Sequence, residues 1–384
     1  MKIMIVVHSS MFDACIPLIN RLKDNTDLTC VFEVYPSSPN MMGVDETVFK
    51  NQDYVNGIEV PSLKQYADDI PLDKTTVIRF YQPSKIFRHI RMMYLLNKQI
   101  KKQKPDIVYF YNVDSIALLF AYTTKRNWAM AVHDPILHSS EKNAKFSQFI
   151  RRLLFYKCEN YFLFTKNYLD AFSQKYHIFT NKIRLTALGA YEQVGVTHII
   201  EEHNELNLLF FGRIVPYKGL RFLLESFKRL REKYNDINLY ILGKGDIETD
   251  IINLNSAGLN IINRFYSVEE FREIISKCDL VVCPYTDATQ SGVIMSSYAF
   301  RKPVLATNVG GLSEMVNHMK TGYLIESHES QMIYNAIDYI YHHKYLLNEW
   351  SAEIEKEYGE DGIRGWKNIA NTLIKDFNDI IIKR

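Results

Sequence analysis

Thr289 to Gly311 reads TQSGVIMSSYAFRKPVLATNVGG. This run is a loop, a helix opening on Ser291-Gly292-Val293, a strand at Val304-Leu305-Ala306 entered through Pro303, and a Gly310-Gly311 turn. A helix whose first turn is Ser-Gly-Val presents backbone N–H groups with no bulky side chain over them, which suits an anion such as a diphosphate. Upstream, FFGRIVPYKGL at 210–220 ends an apolar run and places Arg213 and Lys218 on a strand-to-helix loop framed by Gly212 and Gly219. Arginine grips phosphate oxygens with a planar fork, and lysine adds a mobile point charge.

Outward from these two stretches, short apolar runs alternate with helical patterns, the signature of βαβ units and parallel sheets. In the first half the strands expected are 3–7, 28–34, 76–81, 106–111, 128–133 and 161–165. In the second half they are 206–211, 238–242, 259–262, 280–283, 303–307 and 322–325. Leu223, Phe227, Leu230 and Tyr234 recur at helical intervals. The fold class is therefore α/β, with two doubly wound, Rossmann-like domains facing a central cleft at their strand C-termini. The expected division is a domain at 1–189, a linker at 190–205, a domain at 206–365, and a last helix at 366–384 that packs back on the first domain.

The 384 residues suffice for two such domains, and 47% hydrophobic content with 23% charge excludes a disordered chain. No run approaches the ~18 apolar residues of a membrane span, and MKIMIVVHSS is too short in its apolar part for a signal peptide. Five scattered cysteines without a C-x-x-C pair point to reduced thiols in a cytoplasmic chain. Net charge is +2 but unevenly placed: residues 1–189 hold 25 Lys and Arg against 17 Asp and Glu, and residues 190–384 hold 21 against 27. The excess concentrates at 85–104 and 142–157, where basic residues interleave with apolar ones, a pattern that lies on an anionic membrane surface. No nucleic-acid motif accompanies the charge, so no nucleic acid is expected as a partner.

Other candidates follow strand ends. Gly243-Lys244-Gly245-Asp246 is a second glycine-bounded strand end, and Asn263-Arg264-Phe265 after the next strand offers an aromatic ring for a base or for the core. His133, in Ala131-Val132-His133-Asp134-Pro135, ends a strand and can hydrogen-bond a hydroxyl or exchange a proton near neutral pH. His8-Ser9-Ser10 is a weaker case of the same kind. No D-x-D and no His/Cys cluster has metal-ligand spacing, so no metal and no other cofactor is expected.

The ordered set resembles the retaining glycosyltransferases of family 4, which have the GT-B fold. The resemblance rests on F-G-R-x-x-x-x-K-G at 211–219, G-x-G-D at 243–246, CDLVVCPY at 278–285, the run from Ser291 to Glu314, TGYLI at 321–325, and H-D-P at 133–135. It implies that Arg213 and Lys218 hold the diphosphate of a nucleotide-sugar donor with the amides of Ser291, Gly292 and Val293. It also implies that His133 lies near the donor sugar and that Gly212, Gly243, Phe265, Ser296 and Glu314 line the donor site. The family usually has two glutamates here in an E-x7-E pattern; this chain has Ala288-Thr289 and Ser296-Ser297, with Asp287 the nearest carboxylate. The function expected is metal-independent transfer, with retention, of a hexose or N-acetylhexosamine from a nucleotide-diphosphate sugar, UDP before GDP. The acceptor expected is a glycan or lipid-linked glycan in surface polysaccharide biosynthesis, with the protein peripheral on the inner face of the membrane. The alternatives are a non-catalytic nucleotide-sugar-binding GT-B subunit and a nucleotide-sugar 2-epimerase.

Overall fold

The apolar runs pair into two separate sheets. A computed structural model describes residues 1–35, 42–50, 52–80, 86–112, 127–136, 144–192, 204–247 and 256–382. The chain divides into two units, one of Met1–Leu188 with Trp366–Arg384 and one of Gly189–Gly365.

The first unit contains β1 (Lys2–His8), β2 (Asp27–Val34), β3 (Tyr54–Asn56), β4 (Thr75–Arg79), β5 (Ile107–Phe110), β6 (Trp128–Val132), β7 (Tyr161–Leu163) and β8 (Ile183–Leu185). Their order is β3-β4-β2-β1-β5-β6-β7-β8, parallel except where β3 meets β4. Ile3 to Val7 are all buried, as a strand covered on both faces must be. One face is covered by the helix Ile86–Gln103, whose Met92, Leu96 and Ile100 fall four residues apart and into the core. The last helix, Trp366–Ile382, lies against the helix Phe12–Lys23 and sets Phe377 edge-on to Tyr109 and Phe162, at 5.2 and 5.7 Å between ring centroids. Arg184 Nε and Asp376 Oδ1, 3.5 Å apart, tie the same helix to β8.

The second unit contains β9 (Leu206–Phe211), β10 (Ile237–Leu242), β11 (Leu259–Ile262), β12 (Leu280–Cys283), β13 (Val304–Thr307) and β14 (Gly322–Ile325). The order is β11-β10-β9-β12-β13-β14, all parallel. The winding starts at β9, runs to one edge and returns to β12, so strand order reverses between β9 and β12. In open parallel sheets ligands bind outside the strand C-termini at that reversal. In the first unit the same reversal falls between β1 and β5.

Two strands, β3 and β8, were not expected; each has three residues at or beside a sheet edge, too short for a pattern to show. Tyr81, Lys85, residues 142–143 and residues 193–203 of the expected strand, basic runs and linker lie outside the described residues. All five cysteines are free and buried. Among the described residues no helix is long and apolar enough to cross a membrane.

Candidate functional site

The reversal between β9 and β12 is also where the two motif loops meet. After β9 the chain passes Gly212 and Arg213, makes a tight turn at Pro216–Lys218, and enters the helix Leu220–Lys233 through Gly219 at φ +70°. A Cβ on Gly219 would lie 2.0 Å from the carbonyl oxygen of Pro284, so only glycine lets this loop touch the one after β12. The Thr286 N–H donates to the Tyr217 carbonyl at 2.8 Å and locks the contact.

That turn drives Lys218 inward. It is only 7% exposed, and its Nζ lies 5.4 Å from the Tyr285 ring centroid. A Cβ built on Gly212 would stand 2.8 Å from Lys218 Nζ and 3.4 Å from Val293 Cγ2, which places all three residues around one point. No carboxylate pairs with Lys218 among the described residues. Burial, with the nearby Arg213 charge opposing it as well, pushes its ammonium down to about 8. The buried Cys283 thiol beside it is itself pushed up to about 12 by burial, so at neutral pH it offers no countercharge. Arg213 is exposed and makes no ion pair among the described residues.

The third wall is the helix Gly292–Ala299. Ser291 caps it, accepting from the Ile294 N–H at 3.4 Å, and its hydroxyl is also hydrogen-bonded to the buried Tyr285 phenol. The first-turn amides of Gly292 and Val293 have no intrahelical acceptor and carry the positive end of the helix dipole. Gly292 is exposed, and Ser296 one turn on is half-buried.

The floor is the end of β10. A Cβ on Gly243 would stand 1.8 Å from the Gly212 carbonyl oxygen, and the Gly243 N–H donates to Ile262 at 3.0 Å. Gly243 thus permits two strand ends to close on each other, and its amide is spent in the sheet. The Asn263 side chain braces Gly245 through two hydrogen bonds, at 3.1 and 2.9 Å. Phe265 is 79% exposed, with Lys244 Nζ 5.0 Å from its ring centroid. The neighbouring Arg264 is held by Glu270 in a two-pronged pair, which keeps that carboxyl down at about 2. Chemically the arrangement offers a buried cation and helix amides that are unpaired among the described residues, an exposed cation and an exposed aromatic ring, all fitted to a phosphorylated aromatic ligand.

Residues 205–343 match the family model described as Glycosyl transferases group 1. The second unit carries a glycosyl transferases group 1 domain. A Haemophilus influenzae protein described as a glycosyltransferase is 28% identical over 172 residues, covering 42% of this chain and 48% of that one. The lipopolysaccharide 1,2-N-acetylglucosaminetransferase of Salmonella typhimurium is 31% identical over 152 residues, 34% of this chain and 38% of the relative. The chain spans less than half the length of these curated relatives. The crystal structure of Anabaena HepE in complex with UDP superposes with a TM-score of 0.69 at 16% identity, covering 99% of this chain and all of that one. The fold is GT-B: two parallel-sheet units of this kind are what the solved glycosyltransferase structures share.

Within the glycosyl transferases group 1 domain, Gly212, Arg213, Lys218, Ser291, Gly292 and Val293 converge on the strand reversal, with Gly243 beneath them. Glu314 is half-buried in the short helix Leu312–Met315, which Gly311 ties to the same loop through its N–H to the Ala288 carbonyl, 3.1 Å. His133 belongs to the other unit. It is buried at the end of β6, with Nε2 3.1 Å from the Tyr111 carbonyl and its ring stacked on Phe164 at 4.3 Å. Because a carbonyl only accepts, Nε2 carries the proton of the neutral ring and Nδ1 is the acceptor. Tyr285 and Lys244 were not singled out from the sequence. Both lie inside quoted motifs, but only the order of β9, β10 and β12 reveals that their loops are neighbours. Among the described residues no three His, Cys, Asp or Glu side chains group to hold a metal ion.

Proposed function

We propose that this chain is a retaining, metal-independent glycosyltransferase. It binds a nucleotide-diphosphate sugar, a UDP-sugar, in the glycosyl transferases group 1 domain and moves the hexose or N-acetylhexosamine to a lipid-linked glycan of a surface polysaccharide. The observation that carries this is Lys218, a buried ammonium without a carboxylate partner among the described residues, set beside the Val293 end of a helix. The lipopolysaccharide relative and the UDP complex of a fold neighbour support the donor and acceptor classes.

As the bond to the sugar breaks, charge grows on the terminal phosphate, and Lys218, Arg213 and the amides of Gly292 and Val293 offset it. The leaving diphosphate then takes the acceptor's proton on the face it departs from, so no protein base and neither missing glutamate is needed. Phe265 stacks the nucleobase. The basic helix Ile86–Gln103 holds the protein on an anionic membrane through exposed Phe87, Ile90 and Tyr94 and the lysines at 98, 101 and 102.

The test is a thermal-shift panel of UDP, GDP, ADP and their sugars, followed by transfer assays on Arg213→Ala. Stabilisation by uridine nucleotides, with turnover lowered by about two to three orders of magnitude in the variant, is the expected result. No shift with any nucleotide removes the reading. Donor binding without turnover on any acceptor favours the non-catalytic subunit, and sugar inversion without an acceptor favours the epimerase.

A further inference from the structure

A second basic cavity, of about 630 Å³, lies wholly inside the first unit, away from its strand reversal. Its walls are the end of the helix Ala144–Lys157, the start of β7, the helix Leu169–Tyr176 and the turn that follows. Arg152, Lys175, Lys182 and His177 line it, and no Asp or Glu does. The three permanent cations pair with no carboxylate among the described residues, so like charges converge there with none of these residues to offset them. The floor is rigid rather than collapsible: Phe155 meets Phe172 and Tyr176 edge-on at 5.2 and 4.7 Å.

The rim is apolar. Tyr156 and Phe179 line the cavity yet are 81% and 75% exposed. On the same helix Phe149 and Leu153 are exposed too, and positions 149, 152, 153 and 156 share one face. The opposite face is the ordinary one, with Leu154, Phe155 and Cys158 buried. A soluble phosphate compound would account for the cations but not for a continuous row of exposed rings beside them. A membrane surface accounts for both, because apolar side chains enter the headgroup boundary while cations meet lipid phosphates.

We infer that this cavity receives the phosphate headgroup of an anionic membrane lipid, with Phe149, Leu153, Tyr156 and Phe179 seated in the acyl boundary. The inference rests on the membrane-facing part of the proposed function and not on sugar transfer.

Sedimentation of the full chain with phosphatidylcholine vesicles, with and without phosphatidylglycerol, tests it. Binding should require phosphatidylglycerol, and the triple variant Arg152→Gln, Lys175→Gln, Lys182→Gln should weaken it about 100-fold. Phe179→Ser with Tyr156→Ser, which removes no charge, should weaken it about tenfold. Both variants should keep the wild-type nucleotide thermal shift, which separates lost membrane contact from lost folding. Full vesicle binding by a folded triple variant overturns the inference; if that variant does not fold, full binding by the uncharged pair does. Stabilisation by inorganic phosphate without any vesicle binding also overturns it, in favour of a soluble phosphate ligand. A failed nucleotide shift alongside the expected vesicle results would remove the enzymatic reading and leave this one standing.

Discussion

Lys218 costs the free protein stability, and that cost is the clearest mark of function at the residue scale. Burial takes its ammonium from 10.5 down to about 8, a penalty of roughly 3 kcal/mol on the charged form at neutral pH. Between about 8 and 10.5 the unfolded chain holds a proton that the folded chain has released, so this group makes stability rise with pH across that window. Below it both states are charged and the contribution is flat. Ligand binding has the opposite sign. A diphosphate needs the charged form, so its affinity should fall as pH rises through about 8, a profile that calorimetric titration from neutral to alkaline pH would give. Lys218→Met should therefore raise the melting temperature of the free protein while weakening nucleotide binding by about 10- to 100-fold, the range of one hydrogen bond to a charged group. A variant that melts lower and still binds would show that the lysine supports the fold instead.

At the scale of elements, the site depends on two loops that approach more closely than side chains allow. Gly219→Ala would push a methyl group into the Pro284 carbonyl at a residue already at φ +70°, and should cost about 3 kcal/mol in chemical denaturation. It should also abolish the nucleotide thermal shift, since the Lys218 turn would move with it; an unchanged shift would mean that the loops tolerate separation. Much of this was legible in the sequence, because glycines and cations follow apolar runs at fixed offsets and each loop joins elements adjacent in the chain. Strand order was not legible: Lys218 and Tyr285 are neighbours only because β12 returns to the far side of β9. For the same reason the close approach of Gly243 to Gly212, where a Cβ would stand 1.8 Å from the carbonyl oxygen, was not legible either. The three-residue strands β3 and β8 escaped notice because two alternations are no pattern.

For the whole molecule, two doubly wound α/β units could be read from the alternation of buried strands and amphipathic helices, since burial on both sheet faces demands continuous apolar runs, and the GT-B fold from the family resemblance of the motifs. Each unit has a core cluster of its own, and the first unit draws on the far end of the chain through the helix Trp366–Ile382. Phe377 is fully buried between Tyr109 and Phe162, although more than two hundred residues separate it from either ring's strand. Phe377→Ala leaves a cavity there and should destabilise the first unit by about 3–5 kcal/mol. The second unit's main core cluster runs from Leu206 to Trp350 and takes nothing from the last helix, so nucleotide affinity should be unchanged in the same variant. Calorimetric unfolding with and without UDP would check both halves: Phe377→Ala should lower the transition of the first unit, and UDP should raise that of the second. If Phe377→Ala weakened nucleotide binding as much as it lowered stability, the two cores would have to fold as one, and a last helix that serves only the first sheet would be the wrong description.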